Sequence, residues 1–302
     1  MINNPPDVLF VPSHVLPLNR PKNSVITIHD VAFKYLKTSY SFIQYHYLDW
    51  STKYAVKNAQ KIIVPSEATK EDLIHFYGCK PEKLVVIPHG FIPPKLTRKT
   101  VSDPFENHEI FRYFKIDKDT NYILFVGRLE SKKNLERLIK AFAKFSDSHP
   151  DYKLVLAGKR GVGFNNILRT VQENNMGEKV IMMGYVNEDE KNILTQNCKI
   201  FVFPSLYEGF GMPILDAFYF EKPVLVSHVS SLPEVAKDAA CYCDPYDIES
   251  LEMGLTKITS DEVYAKNLIE LGTERLKDFS WARSAKMVLS VFESLINKGH
   301  GQ

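Results

Sequence analysis

The segment Pro204–Phe218, with the sequence PSLYEGFGMPILDAF, places a carboxylate and two glycines directly before an apolar helical run. Gly209 and Gly211 lack a Cβ, so the backbone at these positions can approach a ligand closely. Pro213 suits the first position of a helix, and a helix N-terminus presents backbone N–H groups that have no partner within the helix. This combination predicts an anion-binding turn at a helix entrance.

Two carboxylates flank this turn, Glu208 before it and Asp216 eight residues later. A carboxylate beside a phosphate group is unfavourable, whereas carboxylates accept hydrogen bonds well from sugar hydroxyls. We therefore expect the pair to bind a sugar. The alternative interpretation is a capping loop with Asp216 in the first helical turn, where its charge favours the helix dipole. That alternative explains Asp216 but neither Glu208 nor the glycines.

A second group of residues with suitable chemistry lies in the sequence GRLESKKNLERL. Arg128 follows an apolar run, and Lys133 stands five residues later, beside Asn134 at a predicted helix start. A guanidinium fork, an ammonium group and a helix N-terminus together can bind a diphosphate. The alternative is a loop that carries two solvated bases.

These residues need a scaffold, and the chain contains nine short apolar runs of strand character: residues 7–12, 24–30, 61–66, 83–90, 122–128, 153–159, 180–186, 199–205 and 223–228. Segments with helical periodicity lie between most of them. Continuous β-branched runs that alternate with helices predict parallel sheets covered on both faces, the doubly wound α/β class. Ligands bind at the carboxyl ends of such strands, where His29, Ser66 and Arg128 fall.

The pattern divides into two α/β domains. Residues 1–118 form an N-terminal domain and a linker, because the segment 92–119 has paired prolines, many charges and no strand pattern. Residues 119–280 form a second domain. Residues 281–302 read as an amphipathic helix with Ser280 as its N-cap, and we expect it to return to the N-terminal domain.

Composition bounds the class of protein. The 302 residues are 44% apolar and 25% charged, as in an ordinary globular chain, and no apolar run reaches the eighteen or so residues of a spanning helix. The N-terminus has no basic region of the signal-peptide type. Four scattered cysteines are expected to be reduced thiols in a cytoplasmic protein. No histidine pair has metal-ligand spacing, so no metal site is predicted.

Charge is distributed unevenly. Residues 1–100 carry 13 Lys and Arg against 7 Asp and Glu, although the whole chain has a net charge of only +2. The basic half indicates attraction to an anionic surface or substrate, or simply solvated lysines. The nearly neutral total disfavours a nucleic-acid reader.

The predicted helix SFIQYHYLDWSTKYAVKNAQK, residues 41–61, is rich in tyrosine and lysine. Such a stripe could rest on a membrane interface. We favour the alternative, in which it is the packed face of a helix in the N-terminal domain.

Several motifs occur together in one order: IHD, VPSEATKEDL, GRLESKKN, EGFGMPILD and SSLPEVAKDAACYCDPYDIESL. With them the chain resembles the retaining glycosyltransferases of family 4 over nearly its whole length, most strongly from Asn121 to Trp281. The resemblance implies the GT-B fold, with two facing Rossmann-like domains. It also implies a reduced N-terminal domain, because family members usually carry a further strand and a glycine-rich turn before the stretch that matches DVLFVPSHVLP.

The resemblance implies roles for individual residues. Arg128 and Lys133 would bind the donor diphosphate and Glu208 the donor sugar, while Asp216, where the family has a second glutamate, would hold the ribose hydroxyls. Further donor contacts would come from Gly209, Phe210, Gly211, Met212 and Asn134, with Gly158, Tyr185 and Val186 around the base. His29 and Ser66 would face the reacting sugar and the acceptor. A hydrogen-bonded structural role is the alternative for His29.

The activity that the resemblance implies is transfer of a hexose to an acceptor hydroxyl in polysaccharide or glycolipid assembly, with retention of configuration. The donor would be a nucleotide diphosphate sugar of the GDP or UDP type, with GDP-mannose favoured, and neither metal nor cofactor is expected. The acceptor would be a glycan or a lipid-linked glycan. A cytoplasmic protein in peripheral contact with the inner face of the membrane would fit such an acceptor.

Two further expectations concern partners and alternatives. The reduced domain would expose a sheet edge, so we expect a second copy or a partner subunit to cover it. The alternative function is a donor-binding, weakly active partner subunit of a split glycosyltransferase. A nicotinamide-dependent oxidoreductase is disfavoured, because GKRGVGFNN has glycine spacing G-x-x-G-x-G rather than G-x-G-x-x-G.

Overall fold

The apolar runs form two parallel sheets in the computed structural model, which describes residues 6–13, 15–94 and 109–296. Every strand pair in both sheets is parallel. Helices connect most successive strands, as parallel pairing requires. The predicted α/β class with two parallel sheets is confirmed. No described helix combines the length and the apolar character needed to cross a membrane.

The chain divides into two units, each built around one sheet. The first unit contains the described residues up to Ile92, the short segment Tyr207–Phe210 and the residues from Phe279 onward. The second contains the described residues of Pro93–Leu206 and Gly211–Asp278. The first break between the units follows Ile92, where the predicted linker begins. Part of the predicted linker, residues 95–108, lies outside the described residues.

The first unit is a four-stranded sheet in the order β1-β2-β3-β4, with β1 at one edge. Its elements are β1 (Leu9–Val11), β2 (Ser24–Thr27), α1 (Ala32–Tyr35), α2 (Phe42–Asn58), β3 (Lys61–Val64), α3 (Glu67–Tyr77) and β4 (Leu84–Val86). The unit also receives the last helix of the chain, α12 (Trp281–Ile296). Ser280 caps this helix, since the Arg283 N–H donates to the Ser280 hydroxyl at 3.4 Å.

Alternate residues of each strand face opposite sides of this sheet, because side chains in a strand alternate with a period of two. Ile26 and Ile62 belong to a buried cluster that includes side chains of α2 and α3. Val25 and Ile63 point the other way and pack against Val291 and neighbouring residues of α12. The C-terminal helix therefore covers one face of the N-terminal sheet.

The second unit is a six-stranded sheet in the order β10-β9-β8-β5-β6-β7. In chain order its elements are α4 (Glu109–Phe114), β5 (Asn121–Val126), α5 (Leu135–Ser148), β6 (Tyr152–Ala157), α6 (Phe164–Glu173), β7 (Val180–Gly184), α7 (Glu188–Asn197), β8 (Ile200–Phe203), α8 (Met212–Tyr219), β9 (Val224–Ser227), α9 (Leu232–Ala236), β10 (Cys241–Cys243), α10 (Ile248–Ser260) and α11 (Glu262–Leu276). The nine predicted strands are all present. The tenth described strand, β10, consists of Cys241, Tyr242 and Cys243 and was not among the predicted runs.

The strand order of the second sheet reverses between β5 and β8. From β5 the chain proceeds outward through β6 and β7, and then returns to β8 on the other side of β5. Loops diverge at such a switch point and leave a crevice at the carboxyl ends of the two strands, where parallel sheets bind ligands. The residues that follow β5 and β8 are therefore the first place to look for a site.

The aromatic stripe of α2 differs from the prediction. Tyr45 and Leu48 pack against the core of the first unit. Phe42 and Ile43, however, are each 78% exposed, and Trp50 is 51% exposed. The expectation that the stripe forms a packed face is wrong for these residues.

All four cysteines, Cys79, Cys198, Cys241 and Cys243, are buried and unpaired. Burial raises the pKa of each thiol, to about 12 for Cys198 and Cys243. Each thiol is therefore protonated at neutral pH, and the reduced state of the cysteines stays a prediction.

Candidate functional site

Glycines line the carboxyl ends of neighbouring strands in the second unit. Gly127 follows β5, Gly158 follows β6, and Gly184 ends β7. A Cβ on Gly158 would lie 1.7 Å from the carbonyl oxygen of Gly127, and the Gly158 φ of +150° is unfavourable for any other residue. Gly158 is thus required by the close approach of two strand ends, whatever its contact with a ligand.

The turn after β5 is held against the end of β8. The backbone N–H of Leu206 donates to the carbonyl of Lys132 at 2.9 Å. Lys133 is only 9% exposed, and its Nζ lies 5.0 Å from the centroid of the Phe203 ring. Arg128, by contrast, is exposed. The two predicted diphosphate ligands are therefore both at the switch point, one as a fixed ammonium group and one as an exposed guanidinium.

Asn134 is the N-cap residue of α5, as the sequence predicts, but its side chain does not cap the helix. Its backbone is left-handed, with a φ of 60°, and its amide donates to the carbonyl of Pro245 at 2.6 Å. Arg137 donates to the other end of the same amide at 2.9 Å. Asn134 therefore fixes the turn that carries Lys133, and a direct contact with a ligand stays a prediction.

Helix α8 starts where the sequence predicts a helix entrance. Gly211 is its N-cap, with a φ of +104°, and Met212 and Pro213 are its first residues. Pro213 has no backbone N–H, and the Ile214 N–H donates to the Gly211 carbonyl at 3.0 Å. It is therefore the field of the helix end, rather than a row of open donors, that favours an anion here.

Asp216 does not lie in the first turn, where we expected it. It is the fifth residue of α8 and has an ionic partner that the sequence did not reveal. The Nζ of Lys191, on α7, lies 3.1 Å from the Asp216 carboxylate and also contacts Glu188. Burial raises the pKa of Asp216 although the charge of Lys191 opposes the shift. The carboxylate is thus held by a side chain 25 residues away and not by the helix dipole.

Tyr185 and Val186, predicted to border a base, follow β7. Tyr185 is 65% exposed, and the Nζ of Lys159 lies 4.7 Å from its ring centroid. Val186 is buried. An exposed aromatic ring and a buried aliphatic side chain can both contact a planar base, but no contact tests these two assignments.

The segment Tyr207–Phe210, which carries Glu208, belongs to the first unit. Tyr207 donates a hydrogen bond to the carboxylate of Asp72, and so does Tyr35. The two phenol rings stack with centroids 5.0 Å apart. Burial and the adjacent Asp72 charge raise the pKa of both phenols, so they remain donors.

Ser66 and Gly209 form the second attachment of this segment. The buried Ser66 hydroxyl accepts from the Thr69 N–H at 3.1 Å, which caps α3, and donates to the Gly209 carbonyl at 2.8 Å. A Cβ on Gly209 would lie 2.1 Å from the carbonyl oxygen of His29. Ser66 and Gly209 therefore position the backbone beside Glu208, and their predicted contacts with substrate stay predictions.

Phe210 is the third residue that attaches the segment Tyr207–Phe210 to the first unit, and aromatic rings surround it. The Phe210 ring lies 5.0 Å from that of His89 and 5.7 Å from that of Phe279, centroid to centroid. His29 contacts His89 at 5.5 Å, and its Nε2 lies 3.2 Å from the carbonyl oxygen of Pro12. Burial, and secondarily the neighbouring His29, lowers the pKa of His89 to about 4. His89 is neutral at physiological pH.

A cavity of about 580 Å³ lies in the first unit between the carboxyl ends of its strands and α12. Its lining is mainly apolar, with His29 and His89 among the few polar residues. It is of ordinary size for a ligand pocket. The remaining lining residues are Phe10, Pro12, Thr27, Ile63, Pro65, Ile87, Pro88, Trp281, Ser284, Ala285, Val288, Leu289 and Phe292.

Four residues with clear roles in this geometry were not assigned from the sequence: Asp72, His89, Lys191 and Tyr207. His89 stands at the carboxyl end of β4, so its position was a usable signal. Nothing in the local pattern marks Asp72 or Lys191, because their partners are distant in sequence. Among the described residues, no group of three or more His, Cys, Asp or Glu could hold a metal ion.

Known families and curated proteins match the chain. A family model described as glycosyl transferases group 1 matches residues 106–275, and one described as glycosyltransferase family 4 matches residues 2–93. The O-antigen chain mannosyltransferase B of Escherichia coli is 25% identical over 94% of this chain and 73% of its own length. The serotype-specific mannosyltransferase WbdA of the same species is 32% identical over 58% of this chain but only 22% of its own length.

Solved structures match the fold. Sucrose-phosphate synthase from Thermosynechococcus elongatus has a TM-score of 0.75 at 22% identity, over 93% of this chain and 69% of that one. Anabaena HepE in complex with UDP and glucose also has a TM-score of 0.75, at 18% identity, over 91% of this chain and 72% of that one.

The tight contact at Gly209 gives a first prediction. Gly209→Ala places a Cβ against the His29 carbonyl, so it should lower the free energy of unfolding by about 1–3 kcal/mol, as overpacking does. Gly177→Ala is the matched control, because a Cβ there meets nothing within 4 Å. Urea unfolding followed by circular dichroism measures both. Equal stability of the two variants would contradict the contact.

The buried imidazole gives a second prediction. Between about pH 4 and the ordinary histidine pKa near 6.5, the unfolded chain binds a proton at His89 that the folded chain does not. Stability from this group is therefore present above pH 6.5 and lost as the pH falls toward 4. His89→Gln should lose less stability than the wild type between pH 7.5 and 4.5.

Gly177→Ala provides the control for this comparison, since it changes no titratable group and should retain the wild-type pH dependence. Urea unfolding at each pH measures the three proteins. A His89→Gln curve parallel to that of the wild type would refute the assignment of a neutral, buried imidazole.

Proposed function

Because the chain belongs to the glycosyl transferases group 1 family, we propose that it moves a hexose, with mannose favoured, from a nucleotide diphosphate sugar to an acceptor hydroxyl with retention of configuration. That it is a glycosyltransferase with a GT-B fold follows from the family and from the solved structures it matches. The donor, the stereochemistry and the acceptor are the proposed part. The names of the curated mannosyltransferases support the choice of mannose.

The observation that carries the proposal is the pair of cations at the switch point. Lys133 is held nearly buried beside Phe203, and Arg128 follows the adjacent strand. An ammonium group and a guanidinium fork can bind a diphosphate together, because both donate charge-assisted hydrogen bonds to phosphate oxygens. In this proposal Arg128 and Lys133 bind the diphosphate, and the N-terminal amides of α8 add the field of a helix end.

The chemical step requires charge stabilisation on the leaving diphosphate. The bond between the anomeric carbon and the phosphate oxygen breaks, and the acceptor oxygen forms its bond on the same face. The acceptor proton passes to a phosphate oxygen of the departing diphosphate. Arg128 and Lys133 stabilise the charge that develops there, which is electrostatic preorganisation and needs no metal ion.

The other donor contacts follow in order along the donor. Glu208 accepts hydrogen bonds from the donor sugar, and the Asp216 carboxylate, oriented by Lys191, accepts those of the ribose. Tyr185, Val186 and Gly158 border the base. The donor acts as a substrate, and no further cofactor is part of the proposal.

The acceptor is proposed to be a glycan or a lipid-linked glycan, presented on the side of the first unit that carries His29. Two observations support this. The relatives named above are an O-antigen chain mannosyltransferase and a serotype-specific mannosyltransferase, and the cavity beside His29 has an apolar lining that suits a lipid-linked molecule. A cytoplasmic location is proposed because the four cysteines are unpaired.

Titration with nucleotides tests the donor site. Calorimetry with GDP, UDP and ADP should give micromolar binding of one nucleotide, and Lys133→Ala should weaken it by one to two orders of magnitude, because a charge-assisted hydrogen bond is lost. Lys132→Ala is the matched control, since Lys132 pairs with Glu130 at 3.5 Å. If none of the three nucleotides binds, or if both variants bind like the wild type, the assignment fails.

Turnover tests the sugar contact. Glu208→Gln keeps the size of the side chain but removes its charge, so it should reduce transfer from GDP-mannose at least a hundredfold while nucleotide binding is retained. Soluble mannosides and a lipid-linked glycan serve as acceptors, and proton NMR of the product reports the anomeric configuration.

An inverted product would contradict retention, and wild-type turnover in Glu208→Gln would remove Glu208 from the site. Nucleotide binding by the wild type without transfer to any acceptor would favour the alternative of a donor-binding partner subunit.

A further inference from the structure

Helix α2 fully buries only small residues, and it exposes the large apolar residues at its N-terminal end, although Tyr45, Leu48, Tyr54 and Val56 pack partly against the core. Its buried residues are Ser51, Thr52 and Ala55. Its large apolar residues at the N-terminal end, Phe42 and Ile43, are each 78% exposed. This is the reverse of an ordinary amphipathic helix, which turns its largest apolar side chains toward the core. The exposed side must therefore be explained by something other than packing within the first unit.

The exposed residues share one face. Seven exposed residues, Phe42, Ile43, His46, Tyr47, Trp50, Lys53 and Lys57, and the half-buried Tyr54 fall within an arc of about 140° on a helix of 3.6 residues per turn, and we call these eight residues the α2 face. Aromatic contacts run along it. The Phe42 and His46 rings lie 4.2 Å apart, and the Trp50 and Tyr54 rings stack at 5.8 Å.

The loop between β1 and β2 extends this surface. Arg20 lies over the Tyr54 ring, with its Cζ 5.1 Å from the ring centroid, and also donates to the Tyr54 hydroxyl. The same hydroxyl donates to the Leu18 carbonyl at 3.2 Å. Leu18 itself is 69% exposed. A bulky aliphatic side chain and a guanidinium group therefore continue the α2 face at its C-terminal end.

The charges on this surface have one sign. The α2 face contains two lysines and no acid, and Arg20 adds a third cation at its edge. The nearest carboxylate in sequence, Asp49, lies just outside the arc and is bonded to Lys34, Lys53 and Tyr77. Its charge is thus compensated within the first unit, and the surface as a whole is cationic.

We propose that the α2 face is the surface by which this protein rests on an anionic lipid bilayer. Tryptophan and tyrosine favour the membrane–water interface, where the ring is in an apolar layer and the polar atom meets the headgroups. Lysine and arginine at the same level gain from an anionic surface. The 17-residue helix would lie in the plane of the interface with Phe42 and Ile43 inserted deepest.

The charge pattern favours a bilayer over a second copy of the chain. Two copies that meet through this surface would bring their lysines and arginines together with no acid in either α2 face to compensate them. Like charges at an interface are unfavourable. The proposal is independent of the donor site, because all of its residues belong to the first unit and none is a predicted ligand of the nucleotide.

The tryptophan content allows a direct measurement on the full chain. The protein has two tryptophans, so Trp281→Phe leaves Trp50 as the single fluorophore. Vesicles of phosphatidylcholine with 30% phosphatidylglycerol should shift its emission to the blue, and brominated acyl chains should quench it. Vesicles of phosphatidylcholine alone should bind on the order of tenfold more weakly. An unchanged spectrum with anionic vesicles would overturn the proposal.

Variants define which residues bind. In co-sedimentation with the same anionic vesicles, the double variant Phe42→Ser, Ile43→Ser should bind at least about tenfold more weakly, because its inserted apolar surface is lost. Lys57→Glu should show a loss of similar order that is reduced at high salt. The control double variant, Tyr113→Ser with Val263→Ser, removes residues that are 80% and 82% exposed on other helices and should bind like the wild type.

Wild-type binding by the Phe42→Ser, Ile43→Ser protein would overturn the proposal, and so would an equal loss in the control. Analytical ultracentrifugation without lipid tests whether a second copy of the chain, rather than a bilayer, covers the α2 face. Self-association that the Phe42→Ser, Ile43→Ser substitutions abolish, together with absent vesicle binding, would assign the α2 face to a second copy instead.

Discussion

The Asp72 carboxylate anchors the segment Tyr207–Phe210 to the first unit, from which that segment is distant in sequence. It accepts hydrogen bonds from Tyr35 and from Tyr207, residues separated by most of the chain. With the Ser66 hydroxyl and the missing Cβ of Gly209, it fixes the backbone on both sides of Glu208. Removing one partner of a buried, hydrogen-bonded carboxylate costs more than the bond itself contributes, so this attachment is hard to alter by single substitutions. The position of Glu208, the proposed ligand of the donor sugar, is therefore set by the attachments of its neighbours to Asp72, Ser66 and the His29 backbone.

The α/β architecture was predictable because strands and helices each leave a local pattern of apolar residues in the sequence. Continuous β-branched runs gave all nine predicted strands, and the rule that ligands bind at the carboxyl ends of parallel strands led directly to Arg128 and Lys133. Long-range pairing is what periodicity does not encode. The ion pair of Asp216 with Lys191, and the assignment of Tyr207–Phe210 to the first unit, both depend on contacts between residues that no local pattern connects. Gly209 illustrates the difference. The sequence shows that a glycine stands in this turn, but only the structure shows that the group it must accommodate is the His29 carbonyl.

Helix α2 shows a second limit of reading sequence. Its mixture of aromatic and basic residues is compatible with either a packed or an exposed face, because tyrosine and lysine have both apolar stems and polar ends. The small residues of the helix determine which face packs against the core. Ser51, Thr52 and Ala55 fit closely against the core, and this leaves the bulky residues on the opposite side. Small residues on a helix are thus as informative about its orientation as large ones.

The chain passes from one unit to the other four times, next to Ile92, Leu206, Phe210 and Asp278. This has a consequence for recombination between relatives. A chimera that joins the N-terminal half of one protein to the C-terminal half of another at residue 92 would inherit Tyr207, Gly209 and Phe210 from one parent, and Asp72, Ser66 and His89 from the other. A working chimera must therefore take Tyr207–Phe210 from the same parent as the first sheet. The unit that has to be exchanged as a whole is made of segments that are not continuous in sequence.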